Sequence, residues 1–231
     1  KMSKKILFLT GTRADFGKIK SLIQILEAHP EFEPFIFVTG MHLQKEYGFT
    51  LLEVERCGFS NIHTFENHTH ETTMDLTLAK TIKGLSAYVK QCEPDMIVIH
   101  GDRVEALAGA IVGSLNNILV SHIEGGEVSG TIDELIRHST SKMSHVHFVS
   151  NKQAKKRLIQ MGELENAIFT IGSPDVDIMF STTLPNLETA KQYYEIAFDT
   201  YAVAMFHPVT TEVKFMQEYA DNFVDALLED Y

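Results

Sequence analysis

Short apolar runs recur at 6–10, 35–39, 62–65, 96–100, 118–123, 146–149 and 168–171, and helix-like patterns fill the stretches between them. The clearest of these places Met74, Leu78, Ile82, Leu85 and Val89 at spacings of three and four, one apolar face of an amphipathic helix. Parallel neighbours need a crossover between them, so this alternation constrains the chain to right-handed βαβ units. The predicted class is α/β, with a doubly wound parallel sheet covered by helices on both faces.

The pattern changes after Ser181. Leu184-Pro185-Asn186 breaks the chain, a polar helix-like stretch follows, and Tyr201-Ala202-Val203-Ala204-Met205-Phe206 reads as a new strand. That strand runs into His207-Pro208-Val209-Thr210-Thr211, and an amphipathic helix then extends to Leu228. One strand and one helix cannot bury both faces of a sheet. The expected division is therefore a first domain over 1–180 and, over 181–231, a connection with the opening βα unit of a second, truncated domain. On this reading the chain is a fragment.

Function is expected where apolar strands end. In open parallel sheets, ligands bind beyond the carboxyl ends of the strands. The stretch 121–133, Ser-His-Ile-Glu-Gly-Gly-Glu-Val-Ser-Gly-Thr-Ile-Asp, sets Glu124, Glu127, Asp133 and His122 in a glycine-rich turn after a strand. A surface turn would also favour glycine and acidic residues, but two further strand ends carry charge. At 10–18, Thr-Gly-Thr-Arg-Ala-Asp-Phe-Gly-Lys opens a helix and reads as an anion-binding loop, with Arg13 and Lys18 adding charge to the helix amino terminus. Its spacing fits neither a Walker A loop nor the G-x-G-x-x-G dinucleotide turn, which lowers the ATPase and NAD readings. At 97–103, Ile-Val-Ile-His-Gly-Asp-Arg puts Asp102 where an acid or base would sit, with helix capping or a pair with Arg103 as its structural alternative.

Composition narrows the classes. A net charge of −11 argues against phosphate-backbone binding to nucleic acid, so positive charge must act locally. No apolar run approaches the ~20 residues of a membrane span, and the amino terminus lacks a signal-peptide core, so the expectation is no membrane and a cytoplasmic setting. Cys57 and Cys92 lack metal spacing and read as free thiols. His63, His68 and His70 read as solvated loop residues, and His145 and His147 alternate across a short strand.

Gly11-Thr12-Arg13 with Lys18, His100-Gly101-Asp102-Arg103, the run from His122 to Asp133 continuing as Glu134-Leu135-Ile136-Arg137-His138, and Phe206-His207-Pro208-Val209-Thr210-Thr211 occur in this order along the chain. Together they resemble the UDP-N-acetylglucosamine 2-epimerases, most closely the hydrolysing branch that makes N-acetylmannosamine for sialic acid biosynthesis. The resemblance implies two Rossmann-like domains in a GT-B-type fold with the active site in the cleft between them. It also implies a UDP-sugar substrate, no NAD or essential catalytic metal, and a homo-oligomer, dimer or tetramer.

The implied chemistry is loss of UDP from C1 with removal of the C2 proton, giving a 2-acetamidoglucal to which the hydrolysing branch adds water. Asp102, Glu124 and Asp133 match the family's catalytic carboxylates, and His207 matches its catalytic histidine. Arg13 and Lys18 match positions near the diphosphate, while Arg103, Arg137 and His138 are further substrate-contact candidates. Asp133 and Arg137 are also four apart, a spacing that suits a surface ion pair. The fragment alone is expected to be inactive. The alternatives are a hydrolysing epimerase acting on a UDP-linked 2,4-diacetamido sugar for legionaminic acid, a non-hydrolysing epimerase, a GT-B glycosyltransferase, and a non-catalytic nucleotide-sugar sensor.

Overall fold

The structure is a computed structural model that describes residues 3–68, 73–181, 184–206 and 214–230. Its chain divides into two compact units, 1–182 and 183–231.

The first unit alternates β1 (Lys4–Thr10), α1 (Arg13–Glu27), β2 (Phe32–Val38), α2 (Leu51–Arg56), β3 (Ile62–Thr64), α3 (Met74–Cys92), β4 (Met96–His100), α4 (Val104–Leu115), β5 (Leu119–Ile123), α5 (Ile132–Lys142), β6 (Val146–Val149), α6 (Lys152–Gln160), β7 (Ile168–Thr170) and α7 (Pro174–Met179). The strands form one seven-stranded sheet in the order β3-β2-β1-β4-β5-β6-β7, with every pairing parallel. This is the doubly wound α/β class read from the alternation.

Period-two alternation along β1 splits the core in two. Ile6 and Phe8 pack with α1 and α2 residues Phe16, Ile19, Ile23, Leu51 and Val54. Leu7 and Leu9 face the other way, against Leu85 and Val89 of α3 and Ala106, Ala110 and Val112 of α4. Small residues let α4 lie close to the sheet: a Cβ on Gly109 would stand 2.5 Å from a methyl of Ile99 and 2.9 Å from one of Leu9. Among the described residues no helix is long and apolar enough to cross a membrane.

Because chain order runs leftward from β1 to β3 and rightward from β4 to β7, the sheet has its switch point between β1 and β4. The loops after these strands diverge there and leave a crevice at the carboxyl edge.

The second unit holds α8 (Leu187–Tyr193) and α9 (Met216–Asp230). Residues 201–206, expected as a strand, form none and are exposed. A strand needs a neighbour to take its backbone hydrogen bonds, and the described segments of this unit offer only helices.

Candidate active site

Glu124 is the focus of the carboxyl edge. It follows β5 with φ +63°, a left-handed conformation that costs a non-glycine residue on the order of 1 kcal/mol. Its carboxylate accepts hydrogen bonds from Lys18 Nζ at 2.9 and 3.0 Å and from Ser173 Oγ at 3.3 Å. His100 Nε2 stands 3.1 Å from the same group, but without the alignment of a hydrogen bond. Burial pushes the Glu124 pKa up, and contacts with His100 and Lys18 together outweigh it, leaving the carboxyl at about 2. The group is an anion at neutral pH.

Lys18 bridges Glu124 to Asp175 of α7, whose Oδ2 lies 3.4 Å away. Burial works against the ammonium, yet the two carboxylates hold its pKa above the ordinary value. One turn of α1, the strand ends of β4 and β5, and the start of α7 thus meet in one charged cluster.

Asp102 lies beside it, in the turn after β4. Its partner is Arg137 of α5, through a short hydrogen bond from Nη2, and not its sequence neighbour Arg103. Nor does Arg137 pair with Asp133, the partner that the four-residue spacing offered. His122 supports the floor: its Nε2 is 2.7 Å from the Gly101 carbonyl and its Nδ1 is 3.0 Å from Ser141 Oγ. Complete burial, opposed by the Gly101 carbonyl and assisted by the nearby Arg137 guanidinium, lowers its pKa to about 3. His122 is therefore a neutral ring that fixes the turn carrying Asp102.

Among the described residues, Asp133, Arg13 and His138 make no hydrogen bond or ion pair with this cluster. Asp133 is exposed in the first turn of α5, where its carboxylate accepts from Thr131 Oγ1 at 3.1 Å. Arg13 is exposed and paired with Glu53 of α2. His138 lines a surface cavity of about 540 Å³ with Glu134, Leu135, Lys142 and Met161. His207 falls outside the described residues.

An internal carboxylate narrows the anion-binding reading of the loop after β1. Asp15 already occupies it, accepting from the backbone N–H of Gly11 at 3.0 Å and of Thr12 at 3.2 Å and from the Thr10 hydroxyl. Thr12 and Asp15 form a capping box, which takes up the N–H groups of Thr12 and Asp15 at the start of α1. Behind Thr10, a buried His42 joins the Thr10 and Thr50 hydroxyls at 2.9 and 2.7 Å.

The three-histidine stretch also differs from its solvated reading. His63 belongs to β3 and stacks on Tyr88, ring centroids 4.1 Å apart, while His68 Nε2 lies 3.7 Å from the buried Glu105; His70 lies outside the described residues. Among the described residues no three His, Cys, Asp or Glu side chains group to hold a metal ion. His145, just before β6, is exposed and lies outside the strand, while His147 within β6 is buried, although positions two apart share a face of a strand; both cysteines are free.

Sequence reading passed over His100, Asp175 and Glu105. The first two had a signal: His100 ends an apolar strand, and Ser173-Pro174-Asp175 opens a helix after β7 just as Thr12 to Asp15 does after β1. Glu105 had none, since an acidic residue in a helix's first turn is ordinary.

The fold and cluster define a class: an α/β protein with acid and base groups at the switch point of a parallel sheet. A family model described as UDP-N-acetylglucosamine 2-epimerase matches residues 24–230, and the chain belongs to that family. It is 52% identical, over 97% of its length, to a UDP-N-acetylglucosamine 2-epimerase of Neisseria meningitidis serogroup B, covering 59% of that relative. It is 35% identical over 98% of its length to a hydrolysing UDP-N,N'-diacetylbacillosamine 2-epimerase of Legionella pneumophila, covering 61% of that protein. The chain thus spans about three-fifths of these curated relatives. The crystal structure of a Methanocaldococcus jannaschii UDP-GlcNAc 2-epimerase in complex with UDP-GlcNAc and UDP matches 83% of this chain and 54% of its own, with a TM-score of 0.73 and 25% identity. The first unit has the Rossmann-like architecture of one half of a GT-B-type fold.

Proposed function

We propose that the whole protein is a hydrolysing UDP-N-acetylglucosamine 2-epimerase, converting UDP-N-acetylglucosamine and water to N-acetylmannosamine and UDP. The observation that carries the reading is the convergence, at the sheet's switch point, of an ionised Glu124 held by Lys18 and His100 with an Asp102 held by Arg137. Elimination needs a base for the C2 proton and positive charge for the diphosphate leaving from C1. Hydration then returns a proton to C2 and a hydroxyl to C1.

Asp102 is assigned to the C2 proton. Lys18 is assigned to the diphosphate, with Arg13, Arg103, Arg137 and His138 as further substrate contacts. A diphosphate that draws Lys18 away from Glu124 would raise that carboxylate's proton affinity as the reaction begins, coupling substrate binding to acid–base readiness. Asp133 and His207 complete the proposed catalytic set. Buried His100 Nε2 and Arg137 Nη1 have no hydrogen-bond partner among the described residues, and a polar ligand would satisfy both.

The same proposal takes the enzyme as a cytoplasmic homo-oligomer and the present chain as inactive by itself. Identifying the product tests it: free N-acetylmannosamine with UDP supports the reading, whereas UDP-linked N-acetylmannosamine assigns the non-hydrolysing branch. The similarity to the Legionella diacetylbacillosamine enzyme favours a second substrate, a UDP-linked 2,4-diacetamido sugar. Comparing kcat/KM on the two nucleotide sugars separates them.

A further inference from the structure

Glu105 carries negative charge where water hardly reaches, at 2% exposure, and the chemistry above makes no use of it. Burial pushes its pKa up, but His68, Arg103, Asn67 and its own backbone N–H together bring it down to about 2. It stands in the first turn of α4, under the loops that follow β1 and β2. A Cβ on Gly11 would come within 3.1 Å of its Cδ, and one on Gly40 within 2.8 Å of its Oε1. Asn67, beyond β3, donates to Oε1 at 3.3 Å, and its own Oδ1 accepts from the Gly40 N–H at 3.0 Å. Arg103, in the turn after β4, donates through Nε to Oε2 at 3.2 Å. One carboxylate therefore gathers the loops after β1, β2, β3 and β4 around the switch-point crevice.

Burying a carboxylate is costly without a cation, and the cation here is Arg103. Two details give the pair a purpose beyond folding. Arg103 is next to Asp102 in sequence, yet Asp102 takes Arg137 and Arg103 turns to Glu105. Moreover, only Nε is engaged; neither Nη amino group of Arg103 has a hydrogen-bond partner among the described residues. A guanidinium pinned through Nε keeps its two Nη groups as a planar fork, a shape that matches paired phosphate oxygens.

We infer that Glu105 is a positioning residue that anchors Arg103 through Nε, so that its Nη fork is presented, already aligned, to a diphosphate at the crevice between β1 and β4. This deepens the nucleotide-sugar reading and rests on it. Without the anchor, the arginine would spend conformational freedom on binding and could collapse onto Asp102.

The test uses the full-length protein and inorganic pyrophosphate, with affinities from isothermal titration calorimetry. Glu105→Gln and Arg103→Ala should each weaken binding about tenfold, and the double variant should also lose about tenfold rather than a hundredfold, because both act through one fork. Arg103→Lys keeps the charge but has no fork for Glu105 to hold, and should also lose about tenfold. A merely structural Glu105 would lower the melting temperature and leave the affinity unchanged.

Wild-type-like affinity in Glu105→Gln or Arg103→Lys, multiplying losses in the double variant, or no binding of pyrophosphate by the wild type would each overturn the inference. If Glu105→Gln does not fold, Arg103→Lys alone decides. Turnover of UDP-N-acetylglucosamine by the wild type is assayed separately. Its absence counts against the proposed function, while the pyrophosphate series still reports on Glu105.

Discussion

Two halves of the carboxyl edge handle carboxylates in different ways. On the β1–β2 side, Asp15 and Glu105 are 8% and 2% exposed and are enclosed by backbone N–H groups, hydroxyls, an amide and one arginine. On the β4–β5 side, Asp102 and Glu124 have side chains 28% and 18% exposed and are held mainly by the ends of Arg137, Lys18 and His100. Partners of the first kind belong to the frame and cannot leave without breaking it. A charged side-chain end can exchange one anion for another, which suits a group that must change partners during a reaction. The first half should therefore respond to mutation chiefly in stability, with Glu105 also acting on binding through Arg103, and the second in turnover.

The largest expected effect is on the exposed half. Asp102→Asn and Glu124→Gln, in the full-length protein, should each lower kcat by roughly 10²–10⁴-fold while leaving the circular dichroism spectrum unchanged. Activity within threefold of wild type would erase the distinction. On the enclosed half, Gly40→Ala should cost about 2–3 kcal/mol in urea unfolding, because φ is +61° and the new Cβ would meet the Gly11 carbonyl oxygen at 2.7 Å. Asp15→Ala removes the acceptor for two backbone N–H groups and should cost about 1–3 kcal/mol. Asp15→Ala losing turnover with no loss of stability would move that residue across the line.

Of similar size is a pH effect. Glu124 lies at about 2 against an ordinary 4.5, so its interactions stabilise the fold fully above about pH 4.5 and are lost as pH falls from 4.5 toward 2. Its share is on the order of 1–3 kcal/mol after allowance for partial solvent screening. Glu124→Gln should flatten the stability profile across that window, and an unchanged slope would contradict the ion-pair account. Asp133→Asn should shift stability by no more than about 0.5 kcal/mol, since its exposed carboxylate contacts only the Thr131 cap.

The parallel sheet was legible because apolar runs and helical spacing are local properties of the chain. Strand limits moved by up to three residues, as at β2, which begins at Phe32 rather than at 35. The run 201–206 failed as a strand because strand formation depends on a neighbour, which a single stretch of sequence does not display. Asp102, Glu124 and Lys18 were visible as charged residues just past strands. Their pairings were not, since Asp102–Arg137 and Lys18–Glu124 join residues 35 and 106 positions apart. Asp15 shows the limit most clearly: Thr-x-x-Asp is a capping pattern in the sequence itself, yet the positive charges around it drew attention to an anion site.

The central claim is that the edge cluster handles a proton at C2. It is tested most directly by proton NMR of the full-length enzyme turning over UDP-N-acetylglucosamine in deuterated water, wild type beside Asp102→Asn. The account predicts UDP and free N-acetylmannosamine carrying deuterium at C2 from the wild type, with neither formed at a comparable rate by the variant. N-acetylmannosamine that retains protium at C2 would contradict it.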